Sequence, residues 1–137
     1  MRKLATLLRP RPRTWISGNK VQILKDGSEN FPEMLKAIKE GRETIHLETY
    51  IFRSDRVGWR FAEALAEKAR EGVSVKLIYD SLGSLTTDRE LFRVMEEAGV
   101  EIFEYHPIAP WKWRGSLKWN LKRRDHRKIL VVDDRCG

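Results

Sequence analysis

The spacing of apolar residues divides the chain from residue 21 onward into strand and helix segments. Apolar runs with a period of two, or continuous runs bounded by turn residues, predict strands, whereas apolar residues three and four apart predict helices. The predicted strands cover residues 21–24, 44–52, 73–79, 100–105 and 126–133. The predicted helices cover residues 31–39 and 58–70, followed by a helix that opens with a capping box at residues 87–90 and ends at residue 98.

This order of elements predicts an α/β fold. Helices that lie between successive strands connect neighbouring strands in parallel, so we expect an α-β-α sandwich around a mixed, mainly parallel sheet. In the strand at residues 44–52, the odd-numbered residues share one face and the even-numbered residues share the other. Sites in such folds form at the carboxyl ends of strands. Asp80 and Gly83 follow the apolar strand at residues 73–79 and therefore fall at such an edge.

A short pattern near the end of the chain carries chemistry: His126, then Lys128, then Asp133. In a strand, His126 and Lys128 project from the same face because side chains alternate. A neutral imidazole can attack phosphorus to give a phosphohistidine, and a neighbouring ammonium can hold the phosphoryl oxygens. Asp133 ends the strand, where it either fixes the turn or holds catalytic groups. These three are the candidate catalytic residues, and a histidine in a basic surface patch is the plainer alternative.

The same residues form an H-x-K-x4-D motif, in which the chain resembles the phospholipase D superfamily. The likeness extends to residues 18–24, 45–52, 75–84 and 123–128, which come in the order seen in bacterial cardiolipin synthases. The Gly-Asn-Lys start at residue 18 is most similar to the cardiolipin synthase B subgroup. The resemblance implies a phospholipase D-like fold and action on phospholipids.

Three further polar residues are candidates for supporting the site. Glu48 is a carboxylate within an apolar strand, so it needs a cation or a hydrogen-bond donor. The resemblance implies that Glu48 lies near the site, paired with a histidine, and an ion-paired edge residue is the alternative. Asp80 and Ser84 match the family's Asp-x-x-Gly-Ser strand end. His46 and His106 lie outside any H-x-K pattern and are interpreted as structural.

Charge is divided unevenly along the chain, whose formal net charge is +7. Residues 1–25 contain seven basic residues and no acidic residue, whereas residues 26–105 contain 11 basic and 17 acidic residues. Residues 106–137 contain nine basic and three acidic residues. The two basic segments attract polyanions, such as anionic lipid headgroups or nucleic acid. Residues 1–17 are interpreted as a basic arm.

Tryptophans and cations alternate between residues 107 and 124, which is the predicted lipid- and phosphate-binding segment. Indoles favour headgroup depth in a membrane, and cations contact lipid phosphates. The same mixture also suits stacking on single-stranded nucleic acid, or a surface loop folded onto the domain. The residues assigned to lipid and phosphate are Trp111, Trp113, Trp119, Lys122, Arg123 and Arg124. The expected partner is an anionic phospholipid surface rather than nucleic acid.

Targeting and cofactor signals are few. No run approaches the roughly 18 apolar residues of a membrane span, and the basic, proline-rich start does not fit a cleavable signal peptide. We therefore expect a cytoplasmic protein, peripheral on the inner face of the cell membrane. Cys136 is the single cysteine, which excludes an internal disulfide. No cluster has metal-ligand spacing, so no metal or cofactor is expected.

The chain carries one H-x-K motif, whereas the resemblance implies two, from two halves of one chain or from a homodimer. Family members also continue past the motif with a strand and a Gly-Gly-x-Asn turn, and this sequence stops at Gly137 before it. We therefore interpret residues 18–137 as the N-terminal part of a first phospholipase D-like domain, incomplete at its C-terminus and lacking the second H-x-K half. On this hypothesis the isolated chain is catalytically inert.

These observations predict a phosphatidyl transferase that forms cardiolipin from phospholipids. His126 takes the phosphatidyl group, and the hydroxyl of a second lipid receives it. A phospholipase D-type hydrolase or a phosphatidylserine synthase differs in the acceptor, and a dimeric nuclease of the superfamily is a more distant alternative. A membrane-binding or pairing module without catalysis is the alternative from another class.

Overall fold

The computed structural model describes residues 17–108 and 124–137 of the chain. Helices and strands alternate through most of these residues. They are α1 (Gly27–Glu40), β1 (Thr44–Thr49), α2 (Arg56–Arg70), β2 (Ser74–Asp80), α3 (Arg89–Glu97), β3 (Glu101–Tyr105) and β4 (Ile129–Val132).

The four strands of the described residues form one sheet in the order β3-β2-β1-β4. β1 pairs parallel with β2, and β2 pairs parallel with β3. β4 runs antiparallel to β1, with Ile129 opposite Glu48 and Val132 opposite Ile45. The carboxyl ends of β1, β2 and β3 therefore meet at one edge, and β4 begins at that edge. The predicted α/β class and the mixed, mainly parallel sheet are confirmed.

An apolar core lies between one face of the sheet and the helices. Its fully buried side chains come from all three helices and from β1 and β2: Ile38, Ile45, Leu65, Val75, Leu77, Leu91 and Met95. α2 connects β1 to β2, and α3 connects β2 to β3, so both helices step in the same direction across the sheet. Because such crossover connections are right-handed, the two helices lie on the same face. α1 packs beside α2. Within the described residues, the helical layer therefore covers this one face.

An aspartate caps each of the three described helices. The carboxylates of Asp26, Asp55 and Asp88 accept main-chain N–H groups of the first turns of α1, α2 and α3. The predicted capping box headed by Thr87 is wrong by one residue. The Thr87 hydroxyl donates instead to the carbonyl of Phe52 and ties the start of α3 to the loop after β1.

The strand predicted at residues 21–24 is wrong. Val21 is 86% exposed and Ile23 is 91% exposed, and neither pairs with a strand of the described residues. Their alternation with polar neighbours follows the strand pattern. A period of two in the sequence, however, does not supply a sheet edge with which the segment can pair.

β1 ends at Thr49, short of the predicted end at residue 52. Beyond it the alternation of faces breaks: Ile51 is 42% exposed, whereas Phe52 is buried. The loop after β2 holds this bend, because Ser84 Oγ accepts the Phe52 N–H and Thr87 donates to the Phe52 carbonyl. The residues after β1 therefore form a loop at the carboxyl edge of the sheet.

β4 is also shorter than the strand predicted at residues 126–133. A tight turn follows it, in which Asp133 and Asp134 have φ angles of 51° and 52°. The Arg135 N–H donates to the carbonyl of Val132 and closes the turn. Two successive left-handed residues are a demanding conformation that aspartate tolerates better than most residues.

The predicted basic arm and most of the predicted lipid-binding segment fall outside the described residues. This applies to residues 1–16 and to Trp111, Trp113, Trp119, Lys122 and Arg123. Among the helices that the structure describes, none has both the length and the apolar character that a bilayer crossing requires.

Candidate active site

His126 and Lys128 lie together just before β4, beside the carboxyl end of β1. Lys128 Nζ is 3.4 Å from His126 Nδ1, and it donates a hydrogen bond of 2.6 Å to the carbonyl oxygen of His126. Both side chains are exposed to solvent. The structure thus brings together the two residues of the H-x-K pair, although they precede the strand in which they were expected.

Whether the 3.4 Å contact between Lys128 Nζ and His126 Nδ1 is a hydrogen bond depends on which ring nitrogen carries the proton. An ammonium only donates hydrogen bonds, so a bond to Nδ1 requires that this nitrogen carry no proton. The neutral ring then carries its proton on Nε2. Attack on phosphorus needs a nitrogen with a free lone pair, so attack through Nε2 requires the proton to reside on Nδ1 and Lys128 to turn away from Nδ1.

Tyr50, in the loop after β1, supports the imidazole of His126. The two rings are stacked, with centroids 3.9 Å apart and an interplanar angle of 23°. Lys128 Nζ lies 5.6 Å from the centroid of the same tyrosine ring, within the range of a cation–π contact. Tyr50 therefore contacts both members of the H-x-K pair. The alternation of faces predicted for residues 44–52 places Tyr50 on the face of Glu48, but this pattern indicates no role for Tyr50 at the site.

A network of charged side chains flanks His126. Arg127 donates to the Asp125 carboxylate from Nε and Nη2, across 3.0 and 3.1 Å, and its Nη2 lies 2.8 Å from Glu48 Oε1. The Glu48 carboxyl also hydrogen-bonds to Asp125. That bond, burial and the charge of Asp125 raise the pKa of Glu48, whereas the Arg127 guanidinium and the bond from Glu48 lower the pKa of Asp125. Glu48 is thus the carboxyl of the pair that retains a proton more readily.

The partners of Glu48 differ from the expectation. The cation that the position of Glu48 demands is Arg127, and the Glu48 carboxyl donates a hydrogen bond to Asp125. The structure describes no contact between Glu48 and a histidine. Asp125 and Arg127 are site residues that were not predicted from the sequence. The available signal was their charge, since both flank His126 directly in a segment that precedes an apolar strand.

Asp80 is fully buried at the end of β2 and connects three segments of the carboxyl edge. Its Oδ1 accepts the N–H groups of Leu82 and Gly83, at 2.9 and 3.3 Å, and its Oδ2 accepts the N–H of Asp125 at 3.1 Å. Arg124 Nη1 lies 3.4 Å from Oδ1. Asp80 therefore anchors the residues immediately before His126 to the loop after β2.

Ser84 acts on the loop after β1 rather than on His126 itself. Its hydroxyl is buried and accepts the Phe52 N–H at 3.0 Å. Gly83 approaches the same loop so closely that a Cβ atom there would lie 2.1 Å from the carbonyl oxygen of Tyr50. The loop after β2 thus fixes the main chain around Tyr50.

The structure does not bring Asp133 to the H-x-K pair. β4 runs antiparallel to β1, so Asp133 lies beside the amino end of β1, at the opposite edge of the sheet from His126. Its carboxylate accepts three main-chain N–H groups at 2.8 Å, from Arg42, Glu43 and Thr44. These bonds lower the pKa of Asp133. Of the two roles considered for Asp133, this position corresponds to the one that secures a turn.

Arg124 is the one predicted lipid-binding residue that lies within the described residues. Its side chain is 10% exposed and is directed to Asp80 and to the carbonyl oxygen of His106, rather than to solvent. Residues 17–108 and 124–137 contain no group of three or more potential metal ligands.

A mainly parallel α/β sheet with an H-x-K pair at its carboxyl edge defines a phospholipase D-like domain. Residues 34–137 match the family described as "Cardiolipin synthase, PLD-like domain". The chain belongs to this family.

Individual relatives agree with the family match. Cardiolipin synthase 1 of Bacillus cereus is 40% identical over 117 residues, which cover 85% of this chain and 22% of the relative. The major cardiolipin synthase ClsA of Bacillus subtilis is 36% identical over 121 residues, which cover 87% of this chain and 24% of the relative. The chain thus spans less than a quarter of the length of either of these relatives.

A solved structure gives a weaker match. Polyphosphate kinase from Porphyromonas gingivalis is 17% identical, with a TM-score of 0.40. The match covers 57% of this chain and 13% of the polyphosphate kinase chain.

Proposed function

We propose that this chain supplies the nucleophile of a phosphatidyl transferase that forms cardiolipin from phospholipids. The observation that carries the proposal is the contact between His126 and Lys128 at the carboxyl edge of the sheet, in a chain of the cardiolipin synthase family. The activity is proposed for the complete protein, because the chain spans less than a quarter of its relatives.

The proposed reaction has two displacements at phosphorus. A ring nitrogen of His126 attacks the phosphodiester of phosphatidylglycerol or another phospholipid, the bond from phosphorus to the headgroup oxygen breaks, and the headgroup alcohol leaves with a proton. The hydroxyl of a second lipid then attacks the phosphatidyl-histidine, the N–P bond breaks, and the hydroxyl proton is taken up. His126 cannot attack phosphorus and protonate the leaving alcohol in the same step. A second acid-base group therefore donates a proton to the headgroup alcohol in the first displacement and accepts the proton of the lipid hydroxyl in the second.

Lys128 has an electrostatic role in this proposal. Its ammonium moves from Nδ1 of His126 to the non-bridging phosphate oxygens and stabilises the negative charge of the five-coordinate transition state. The same movement leaves Nδ1 free to carry a proton, so that Nε2 presents its lone pair to phosphorus. Phosphate binding and activation of the nucleophile are thus coupled through one lysine.

The remaining predicted residues are proposed to act through the main chain. Asp80 holds the residue before His126, and Ser84 holds the loop that carries Tyr50. Glu48 orients Arg127 and Asp125 on either side of His126. Asp133 acts at a distance, by fixing the end of β4 to Arg42, Glu43 and the first residue of β1.

The second acid-base group is proposed to be the histidine of another H-x-K motif. It comes either from another part of the same full-length chain or from a second copy in a homodimer. The isolated 137-residue chain is therefore expected to be inert. Incubation of the purified, monomeric chain with phosphatidylglycerol should give no cardiolipin, and sustained turnover by that monomer would contradict the two-motif mechanism.

The basic arm and the tryptophan segment are proposed to hold the protein on the cytoplasmic, anionic face of the membrane. The support is compositional, since cations meet lipid phosphates and indoles favour the headgroup layer. Sedimentation with vesicles of phosphatidylglycerol should exceed that with phosphatidylcholine and fall with added salt. Tighter binding to single-stranded DNA than to the anionic vesicles, at matched salt, would favour the nuclease instead.

The test of the proposed function is substitution of His126 in the protein expressed from its complete reading frame. His126→Ala should abolish cardiolipin synthesis while vesicle binding persists. His46→Ala is the matched control, because His46 is an exposed histidine of β1 outside the H-x-K pair. Undiminished synthesis by His126→Ala would refute the proposal, and lipid binding without synthesis by the unaltered protein would favour the non-catalytic alternative.

A further inference from the structure

We infer that Tyr50 is a positioning residue, which holds the His126 imidazole in one plane and Lys128 beside it through its aromatic ring. This inference rests on the proposed function, because it assigns Tyr50 a role in the reaction of His126. Nothing in the H-x-K motif itself points to residue 50, which lies 76 positions earlier in the chain.

The first observation is the geometry of the rings. His126 is exposed at the surface, where an unsupported imidazole rotates freely about its side-chain bonds. The Tyr50 ring covers one face of it, at a centroid distance of 3.9 Å and an angle of 23°. Stacking of this kind leaves the ring nitrogens at the edge open to substrate and to Lys128, while it removes rotation out of the plane.

The second observation is the contact of the same ring with Lys128. The ammonium lies 5.6 Å from the Tyr50 centroid and 3.4 Å from His126 Nδ1. One aromatic side chain is thus in reach of the nucleophile and of the cation that binds phosphate. Both contacts use the face of the Tyr50 ring, so the phenol oxygen has no part in this positioning.

The third observation is that the main chain around Tyr50 is fixed from the other side. Gly83 lies against the Tyr50 carbonyl, and a Cβ at residue 83 would come within 2.1 Å of that oxygen. Two residues on, the Phe52 N–H is bound by the buried hydroxyl of Ser84. Tyr50 therefore occupies a constrained loop rather than a free one. A ring that is itself held in place is able to hold another.

The expected effect follows from the geometry of attack. In-line displacement requires the nitrogen lone pair to face phosphorus, and a misplacement of about 1 Å lowers a rate by about 100-fold. Tyr50→Leu removes the ring and should lower kcat by about 10- to 100-fold. The KM for phosphatidylglycerol should change by less than about 3-fold, because Tyr50 does not bind the lipid in this account. Tyr50→Phe keeps the ring and should retain near-normal kcat.

The experiment combines kinetics with NMR. The kinetics use the protein from the complete reading frame, with Tyr50→Leu, Tyr50→Phe and the control Tyr79→Leu. Tyr79 is half-buried, and its ring is stacked on that of Phe92 with the centroids 4.3 Å apart. Tyr79→Leu therefore also removes a stacked aromatic pair, but one that does not include His126. The NMR uses the 137-residue chain, in which the ring current of Tyr50 should move the ring protons of His126 upfield. That displacement should persist in Tyr50→Phe and Tyr79→Leu and vanish in Tyr50→Leu.

Each outcome bears on the inference. Equal losses of kcat in Tyr50→Phe and Tyr50→Leu would overturn it, because the hydroxyl would then be the active group. An unchanged kcat in Tyr50→Leu would also overturn it. If Tyr50→Leu does not fold, the chemical shifts of the His126 ring protons in the unsubstituted chain still test the stacking. Shifts without an upfield displacement would contradict it. Failure of the proposed function is distinguishable, since it appears as synthesis that survives His126→Ala.

Discussion

The buried carboxylate of Asp80 accepts the main-chain N–H of Asp125 across 3.1 Å, and this bond joins the end of β2 to the residue before His126. Asp80 also pairs with Arg124, whose side chain is 10% exposed. A buried ion pair is sensitive to the loss of one partner, because the other charge is left without compensation. The segment that carries the H-x-K pair therefore depends on a residue 46 positions earlier in the chain.

Asp80→Ala is expected to destabilise the protein by about 3 kcal/mol, since it leaves the Arg124 guanidinium buried beside unsatisfied N–H groups. Urea unfolding of the 137-residue chain measures the difference. Asp55→Ala is the control: Asp55 also accepts two main-chain N–H groups, but it is an exposed helix cap that forms no ion pair with any of the described residues. That variant should lose about 1 kcal/mol. Equal losses in the two variants would contradict a special contribution of the Asp80–Arg124 pair.

Lys128→Met should lower kcat by about 100- to 1,000-fold in the complete protein, because it removes a charged donor from the transition state. Vesicle binding should be unaffected. The control is Lys76→Met, which removes an exposed lysine of β2 whose partner is Glu101 at 3.7 Å. Cardiolipin synthesis at a normal rate by Lys128→Met would exclude the proposed role of this ammonium.

Glu48→Gln is expected to be at least as stable as the unsubstituted chain at pH 7. Asp125 and burial raise the pKa of Glu48 above its ordinary value of 4.5, so the ionised form is the less favourable one in the folded state. The destabilisation caused by ionised Glu48 is complete at pH values above the pKa of Glu48 in the folded state. It shrinks as the pH falls through that pKa, and it disappears below about pH 4.5. The stability difference between the two proteins, followed by urea unfolding from pH 7 to pH 4, should therefore vanish at the acid end. A difference that grows as the pH falls would mean that the pKa of Glu48 is lowered.

Asp133→Asn should lower the melting temperature at neutral pH. Three main-chain N–H bonds hold the pKa of Asp133 below its ordinary value of 3.8, so its stabilisation is present above that value and is lost as the pH falls through the folded pKa. Asp134→Asn is the control, because its φ of 52° matches the 51° of Asp133. Melting curves at pH 7 and near pH 3 test this. Asp133→Asn should lower the melting temperature strongly at pH 7 and less near pH 3. If Asp133→Asn and Asp134→Asn lower the melting temperature equally, the Asp133 carboxylate has no special stabilising role.

The sequence predicted the parts of the fold that rest on local patterns. Strong apolar periodicity located α2, β2 and β3 to within two residues. α2 and β2 bury several side chains in the core, whereas β3 contributes the partly buried Ile102. The segment at residues 21–24 shows the same period of two and is not a strand. Pairing depends on a neighbouring edge, and that edge is a property of the tertiary structure.

The site was predictable where it depends on neighbours in sequence. His126 and Lys128, two residues apart, lie together as their spacing indicates. Tyr50 escaped prediction because its contact with His126 depends on the antiparallel register of β4 against β1, with Glu48 opposite Ile129. The same register carries Asp133 to the other edge of the sheet. The direction of a strand cannot be read from its own pattern of apolar residues.

The most direct test of the account is to identify the residue that becomes covalently attached to lipid during turnover. The complete protein is mixed with radiolabelled phosphatidylglycerol, quenched at neutral to alkaline pH because a phosphoramidate is labile in acid, and digested for mass spectrometry. We expect a phosphatidyl adduct on the peptide that contains His126. In His126→Ala, both this adduct and cardiolipin synthesis should be lost. An adduct on a different residue, or cardiolipin formed at an undiminished rate by His126→Ala, would contradict the central claim.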